Sequence, residues 1–364
     1  MLAQEPSIKR GLTFWDRALM PRDEFDARLR LVRAAMRDAG LGALIVSGNM
    51  YEDAALIHLV GGNVDGTMVL PLEGEPCIFT ASGSRESFFL RELTWMQDVS
   101  HQGALVGGAV HKALGRYGID GGRIGTAGWQ VLTERQYGDL AGALADFELV
   151  DFSTGLFEIR RDLRPRERAA VERAREIVGK AVAAAEKTFA DGGSNAAAVI
   201  EAERVARLEG AWDFRALANL EGDGLQPLEL ASDERREPLL LWAAARYQGY
   251  WADQVAPSSS PVDGEAALAV AAMVEAAGAG AVAGAVAEAG LSKLSEASRR
   301  SALAYGLGRG IGIELNGWPD IVSGSQERLG EGTLLSFHVF AAGGSKPSFA
   351  SAMVEVGAEA ARRL

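Results

Sequence analysis

The stretch IRRDLRPRERAAVERAREIVGKAVAAAEKTF lies near the middle of this 364-residue chain and constrains the fold more than any other feature, because it separates two different textures. From Arg166 onward it predicts one long helix with alternating charge on one face. Asp191-Gly192-Gly193 ends that helix, and Ser194 or Asn195 can cap a second one running to Glu209-Gly210. Before the stretch, helix and strand alternate. Phe25, Leu29, Leu31, Val32 and Met36 give Arg22 to Gly40 an approximate helical spacing, with Gly40 at the expected stop. LGALIVSG reads as a short buried strand. TMVLP and PCIFT read as two more strands across a Glu73-Gly74 turn, and GRIGT as another after a helix around His111 to Tyr117. This alternation predicts an α/β layered domain that ends near Val150, with the first domain taken as residues 1–155.

After Pro238 the texture changes. LLLWAAARYQGYWADQV predicts two strands joined by a turn at Gln248-Gly249. The Ala-rich segment 264–290 reads as helix, and GLGRGIGIELNGWP, TLLSFHVFA and FASAMVEVG read as closing strands. Helices first and an antiparallel sheet after predict an α+β second domain, residues 156–364.

Charge and composition narrow the function classes. Lys+Arg is 37 and Asp+Glu is 49, a net charge of −12, so a phosphate backbone is repelled and nucleic acid is not an expected partner. One cysteine, Cys77, leaves no intramolecular disulfide and no CxxC metal knuckle; it is expected to be a buried apolar residue. The opening MLAQEPSIKRGLTFWDRALM carries charges where a signal peptide needs an apolar core. The stretch from Ala266 to Gly290 is mostly Ala and Gly with Glu275 and Glu288, too weakly apolar to span a bilayer. A cytoplasmic location without membrane contact is the expectation.

The order of segments resembles the creatinase/aminopeptidase P/prolidase family over nearly the whole chain. Phe25-Asp26-Ala27-Arg28 with GALIVSG is similar to that family's N-terminal domain, and IRRDLRPRERAAVERAREI to the opening of its catalytic domain. YQGYWADQV resembles its motif of Gly-Tyr followed by a metal-binding aspartate; GLGRGIGIELNGWP resembles its glycines around a pocket histidine. The resemblance implies a creatinase-like α/β N-terminal domain, an α+β pita-bread C-terminal domain, and a homodimer in which each first domain covers the neighbouring pocket. The family's peptidases hold two divalent metals with five carboxylate and histidine ligands. By the resemblance those five positions are Trp242, Asp253, Arg309, His338 and a residue at or beside Ser351, so Asp253 alone is retained. An indole cannot ligate, and a guanidinium brings a permanent positive charge. The implication is a chain with no metal or other cofactor and no peptidase activity. Creatinase, a metal-free member that hydrolyses a C–N bond with a pocket histidine, is the closest precedent. That histidine has no counterpart in the segment Leu220 to Glu237, which removes creatine as the implied substrate.

Each candidate residue carries two readings. His338, in an apolar strand, is a proton-transfer residue or a histidine satisfied by a backbone carbonyl. Arg309, among Gly306, Gly308, Gly310 and Gly312, clamps a substrate carboxylate or oxyanion, or pairs with Asp253 to fill the vacated metal space. Asp253 orients a substrate or is a rim carboxylate. Trp242, Tyr250, Trp251 and Trp318 form a box for a flat or cationic ligand, or are core. Glu314 and Asn316, read as alternating on one strand face, and Ser351 could add polar substrate contacts. Among His58, His101 and His111, His58 is best placed to reach a site but is expected to be structural. The glycine run lacks the strand–loop–helix context of a dinucleotide loop. The leading expectation is a metal-independent enzyme acting on a small polar metabolite by C–N hydrolysis or acid/base elimination. Its rivals are a non-catalytic pseudo-peptidase that binds a ligand or protein, and a residual Xaa-Pro-type metal enzyme using Asp253, His338 and Glu314.

Overall fold

A computed structural model describes residues 14–49, 54–81, 84–220, 224–228, 234–258, 264–343 and 347–364. Most of the charged N-terminal stretch, and much of the histidine-free segment Leu220 to Glu237, lie outside the described residues. The chain divides into two compact units, Met1–Arg166 and Glu167–Leu364.

The first unit alternates α1 (Arg22–Asp38), β1 (Ala43–Gly48), α2 (Ala54–Val60), β2 (Gly66–Pro71), β3 (Cys77–Thr80), α3 (Ser84–Leu93), β4 (Asp98–His101), α4 (Gly107–Arg116), β5 (Gly122–Ala127), α5 (Glu134–Ala143), β6 (Phe147–Asp151) and α6 (Ser153–Arg161). The strands form one mixed sheet, β4-β3-β2-β1-β5-β6, with β1 antiparallel to β2 and parallel to β5. Every residue of β1, β2 and β3 is buried, the continuous apolar reading of a sheet covered on both faces. Cys77 is fully buried in the cluster of Ile45, Val69 and Ile124 packed on Val110, Leu114 and Leu140. His58 is also buried, and its carbonyl accepts from Arg28 Nη1 at 2.9 Å.

The second unit follows the long helix α7 (Pro165–Ala190) with α8 (Asn195–Leu208), β7 (Asp213–Ala218), β8 (Leu241–Tyr247), β9 (Tyr250–Ala256), α9 (Glu265–Ala276), α10 (Ala283–Leu291), α11 (Glu296–Tyr305), β10 (Gly308–Gly310), β11 (Gly317–Asp320), β12 (Leu334–Ala341), β13 (Ser348–Val356) and β14 (Ala361–Arg363). Ser194 is the cap of α8, accepting from the Ala197 N–H at 3.1 Å. The strands make two antiparallel sheets, β7-β8-β9 and β11-β10-β12-β13-β14. The β8–β9 turn is at Gln248-Gly249 as expected, with φ of 48° and 90°. Two consecutive positive φ values give the hairpin turn whose twist suits its strands. Val270, Met273 and Val286 of α9 and α10 pack on Phe337, Val339 and Val354 of β12 and β13.

The structure departs from the sequence reading in two places that matter. The Ala-rich segment is two helices, because Gly280 has φ of +81° and a Cβ on Gly278 would lie 2.2 Å from the Glu359 carbonyl oxygen. Alanine and glycine carry too little hydrophobic contrast to mark such a break. The segment 311–316 is a bend rather than a strand, so Glu314 and Asn316 do not alternate on a strand face. The bend is drawn inward by Arg309, whose Nε donates to the Leu315 carbonyl at 2.7 Å. The sequence reading also contains neither β7 nor α11. Among the described residues, no helix is long and apolar enough to cross a membrane.

Candidate functional site: a closed polar network on the sheet face

Strand alternation assembles the site. On β12, Phe337 and Val339 turn toward the helices, so Ser336, His338 and Phe340 emerge on the opposite face. Register places Arg309 of β10 opposite Ser336, and Ser351 of β13 opposite His338. In the β8–β9 hairpin, Asp253 pairs with Ala244 and Trp242 with Val255. Trp242 and Asp253 are therefore diagonal neighbours on one face.

The side chains close into one network. Asp253 is buried, and three donors meet its carboxylate: Ser336 Oγ to Oδ1 at 2.5 Å, Trp242 Nε1 to Oδ2 at 3.0 Å, and Arg309 Nη2 to Oδ2 at 2.8 Å. Arg309 spends its Nε on the Leu315 carbonyl and donates from Nη1 to His338 Nδ1 at 3.2 Å. Its guanidinium carbon also lies 5.6 Å from the Trp242 ring centre. A guanidinium only donates, so Nδ1 of His338 accepts and the ring proton sits on Nε2, which faces the Tyr305 carbonyl at 3.4 Å. Burial, and then the adjacent Arg309 charge, push the His338 pKa from 6.5 down to about 4 against the opposing pull of Asp253. The imidazole is neutral at ordinary pH.

The glycines around Arg309 serve backbone approach. A Cβ on Gly310 would stand 2.0 Å from the Trp318 carbonyl oxygen, and one on Gly308 would stand 2.6 Å from that of Ser336. An apolar cluster of Leu225, Leu240, Val255, Phe340 and Phe349 packs against Trp242 and Tyr305 beside the network.

The remaining candidates do not all gather there. Tyr250 is fully buried and bonds the Glu167 carboxylate, on the opposite face of β9 from Asp253. Trp251 is buried under Arg246, whose guanidinium carbon lies 5.3 Å from its ring centre. Glu314 and Trp318 are half-buried and Asn316 is exposed in the β10–β11 segment. Ser351 is half-buried. The four aromatics therefore form no single box: Tyr250 lies on the opposite face of β9 from the network, which Trp242 joins through its indole N–H. Ser336 and Tyr305 are the residues that sequence reasoning missed. Period-two alternation would have found Ser336, two positions before His338; the Tyr305 carbonyl has no side-chain signal.

This donor set does not fit the pair of divalent metals that the family resemblance brings to mind. Both Asp253 oxygens already accept N–H or O–H donors, and an indole and a guanidinium, both donors only, stand beside them. Among the described residues no three His, Cys, Asp or Glu side chains stand together as metal ligands.

No sequence profile of a known family and no curated protein matches the chain. Solved structures do. An X-Pro aminopeptidase from Thermotoga maritima superposes with a TM-score of 0.73 at 15% identity, covering 92% of this chain and 96% of that one. A prolidase from Pyrococcus horikoshii gives 0.70 at 18% identity, covering 93% and 97%. The N-terminal domain of a FACT complex subunit from chickpea gives 0.63 at 15% identity, covering 93% and 95%. The chain thus has the pita-bread fold preceded by a mixed α/β N-terminal domain, as the sequence predicts.

Proposed function

We propose that this chain is a metal-independent, non-catalytic pita-bread protein: a pseudo-peptidase whose former reaction centre has become a charge-compensated structural network, leaving the fold to serve binding. One observation carries the reading. Asp253, which the resemblance sets at a metal-ligand position, accepts from Trp242, Arg309 and Ser336. Three donors occupy three of the carboxylate's about four lone-pair sites, and the permanent guanidinium charge beside it opposes entry of a divalent cation. The fold does not argue against this, since it is shared by chains named as peptidases and by a domain named as part of a complex subunit.

The test is hydrolysis of Xaa-Pro dipeptides by the purified chain with added Mn²⁺ or Co²⁺. The expected result is no turnover above buffer. Turnover that requires the added ion and disappears in Asp253→Ala would establish the residual metal enzyme instead.

A second reading, metal-independent C–N hydrolysis or elimination, is favoured by the neutral state of His338, the form a general base requires. Against it, the Nδ1 lone pair faces Arg309 and Nε2 carries the proton toward Tyr305. If His338 were the base, His338→Gln would abolish turnover of a small amidine or amide while leaving its binding intact.

A further inference from the structure

The network face of β12 continues into an apolar slot. Ser336 meets Asp253 and His338 meets the Tyr305 carbonyl. Phe340, two residues further on the same face, meets the Tyr305 ring edge-on, with ring centres 5.0 Å apart and planes at 81°. Leu240, Val255 and Phe349 are buried around Phe340, and Trp242, whose indole bonds Asp253, packs against them. The chain itself occupies this slot: the Leu225 side chain, 7% exposed, belongs to the same cluster.

Leu225 is carried on the segment 224–228, which lies outside the named strands and helices and has Gln226 and Pro227 exposed on its outer side. Two ties hold the segment down. At Ala218, the last residue of β7, an isolated bridge exchanges two backbone hydrogen bonds with Gln226, at 2.9 and 2.8 Å. At Tyr305, the last residue of α11, the phenol accepts the Leu225 N–H at 2.6 Å and donates to the Leu225 carbonyl at 3.3 Å. One hydroxyl thus satisfies both backbone groups of Leu225, as a neighbouring strand would. Gly224 makes this approach possible, since a Cβ there would stand 2.5 Å from the phenol oxygen. Tyr305 is where the network and the segment meet: its carbonyl faces His338 and its hydroxyl holds Leu225.

We propose that the segment 224–228 is a self-occluding strap: latched by the Tyr305 phenol, it fills the apolar slot beside the Asp253–Arg309–His338 network with Leu225, and an apolar group from outside enters that slot only when the latch is released. The slot is lined by aliphatic and aromatic side chains, so the group it excludes is an uncharged hydrocarbon one. The assignment goes beyond the reading of the fold as a binding module. It does not depend on whether Asp253 can hold a metal, so the two fail separately.

Hydrogen–deuterium exchange and titration with Nile red, an uncharged apolar dye, test it on the full chain. Tyr305→Phe removes the hydroxyl while keeping the ring against Phe340 and the carbonyl facing His338. The expected result is slow exchange over 224–228 in the parent and exchange about fivefold faster in Tyr305→Phe, with the β12 amides unchanged. Saturable Nile red fluorescence appears in the variant above the level of the parent. Where Tyr305→Phe fails to fold, Gly224→Ala, which crowds the phenol instead of deleting it, takes its place with the same expected results. The proposal is overturned if the segment exchanges as fast in the parent as in the variant, if β12 accelerates as much as the segment, or if dye fluorescence stays at the parent's level.

Discussion

Asp253 of one sheet meets Arg309 and His338 of the other, and their chemistry is decided by what each must do for the others. A buried carboxylate needs donors, and Asp253 has three; a buried guanidinium needs acceptors, and Arg309 has a carbonyl, a carboxylate and an imidazole nitrogen. Removing one partner strands the other. Arg309→Ala should lower unfolding free energy by about 3–5 kcal/mol in denaturant titration, whereas the paired replacement Arg309→Met with Asp253→Leu should cost clearly less. The His338 pKa adds a pH signature. Because it is depressed from 6.5 to about 4 in the folded chain, the unfolded chain binds more protons between those values. Stability should hold above pH 6.5 and fall progressively as pH drops toward 4. His338→Gln should flatten that slope, and an unchanged slope would show that other groups set it. The turn at Gln248-Gly249 was legible in sequence, and with a period of two it sets Trp242 and Asp253 on one face. The Tyr305 and Leu315 carbonyls were not legible, since backbone acceptors leave no mark in residue identity.

At the scale of elements, strands with clear boundaries could be read directly. YQGY marked a hairpin, and TLLSFHVFA and FASAMVEVG became β12 and β13. What escaped was set by contacts distant in sequence. The Ala-rich helix breaks where Gly278 meets the Glu359 backbone, and the segment 311–316 bends because Arg309 pulls its carbonyl inward. The glycine run shows the same principle. Gly310→Ala should force β10 and β11 apart at Trp318, and the displaced Arg309 should be visible as a downfield change in the Trp242 indole N–H resonance; an unchanged spectrum would mean the strands have room that the geometry denies. A smaller effect belongs to the α8 cap, where Ser194→Ala should cost about 1 kcal/mol in thermal unfolding.

Across the whole molecule, the fold was legible because segment order survives at low identity: at 15–18% identity the chain still superposes on an X-Pro aminopeptidase and a prolidase over more than nine-tenths of its length. The substrate was not legible, since fold and function separate once a site's donors change. The proposed loss of metal binding rests on a local arrangement, a guanidinium and an indole turned onto the buried Asp253 carboxylate. Calorimetric titration of the metal-stripped chain with Mn²⁺ measures this directly. No saturable heat is expected at the Asp253 site, with Asp253→Ala giving the same trace as the parent. Stoichiometric uptake by the parent that Asp253→Ala abolishes would contradict it.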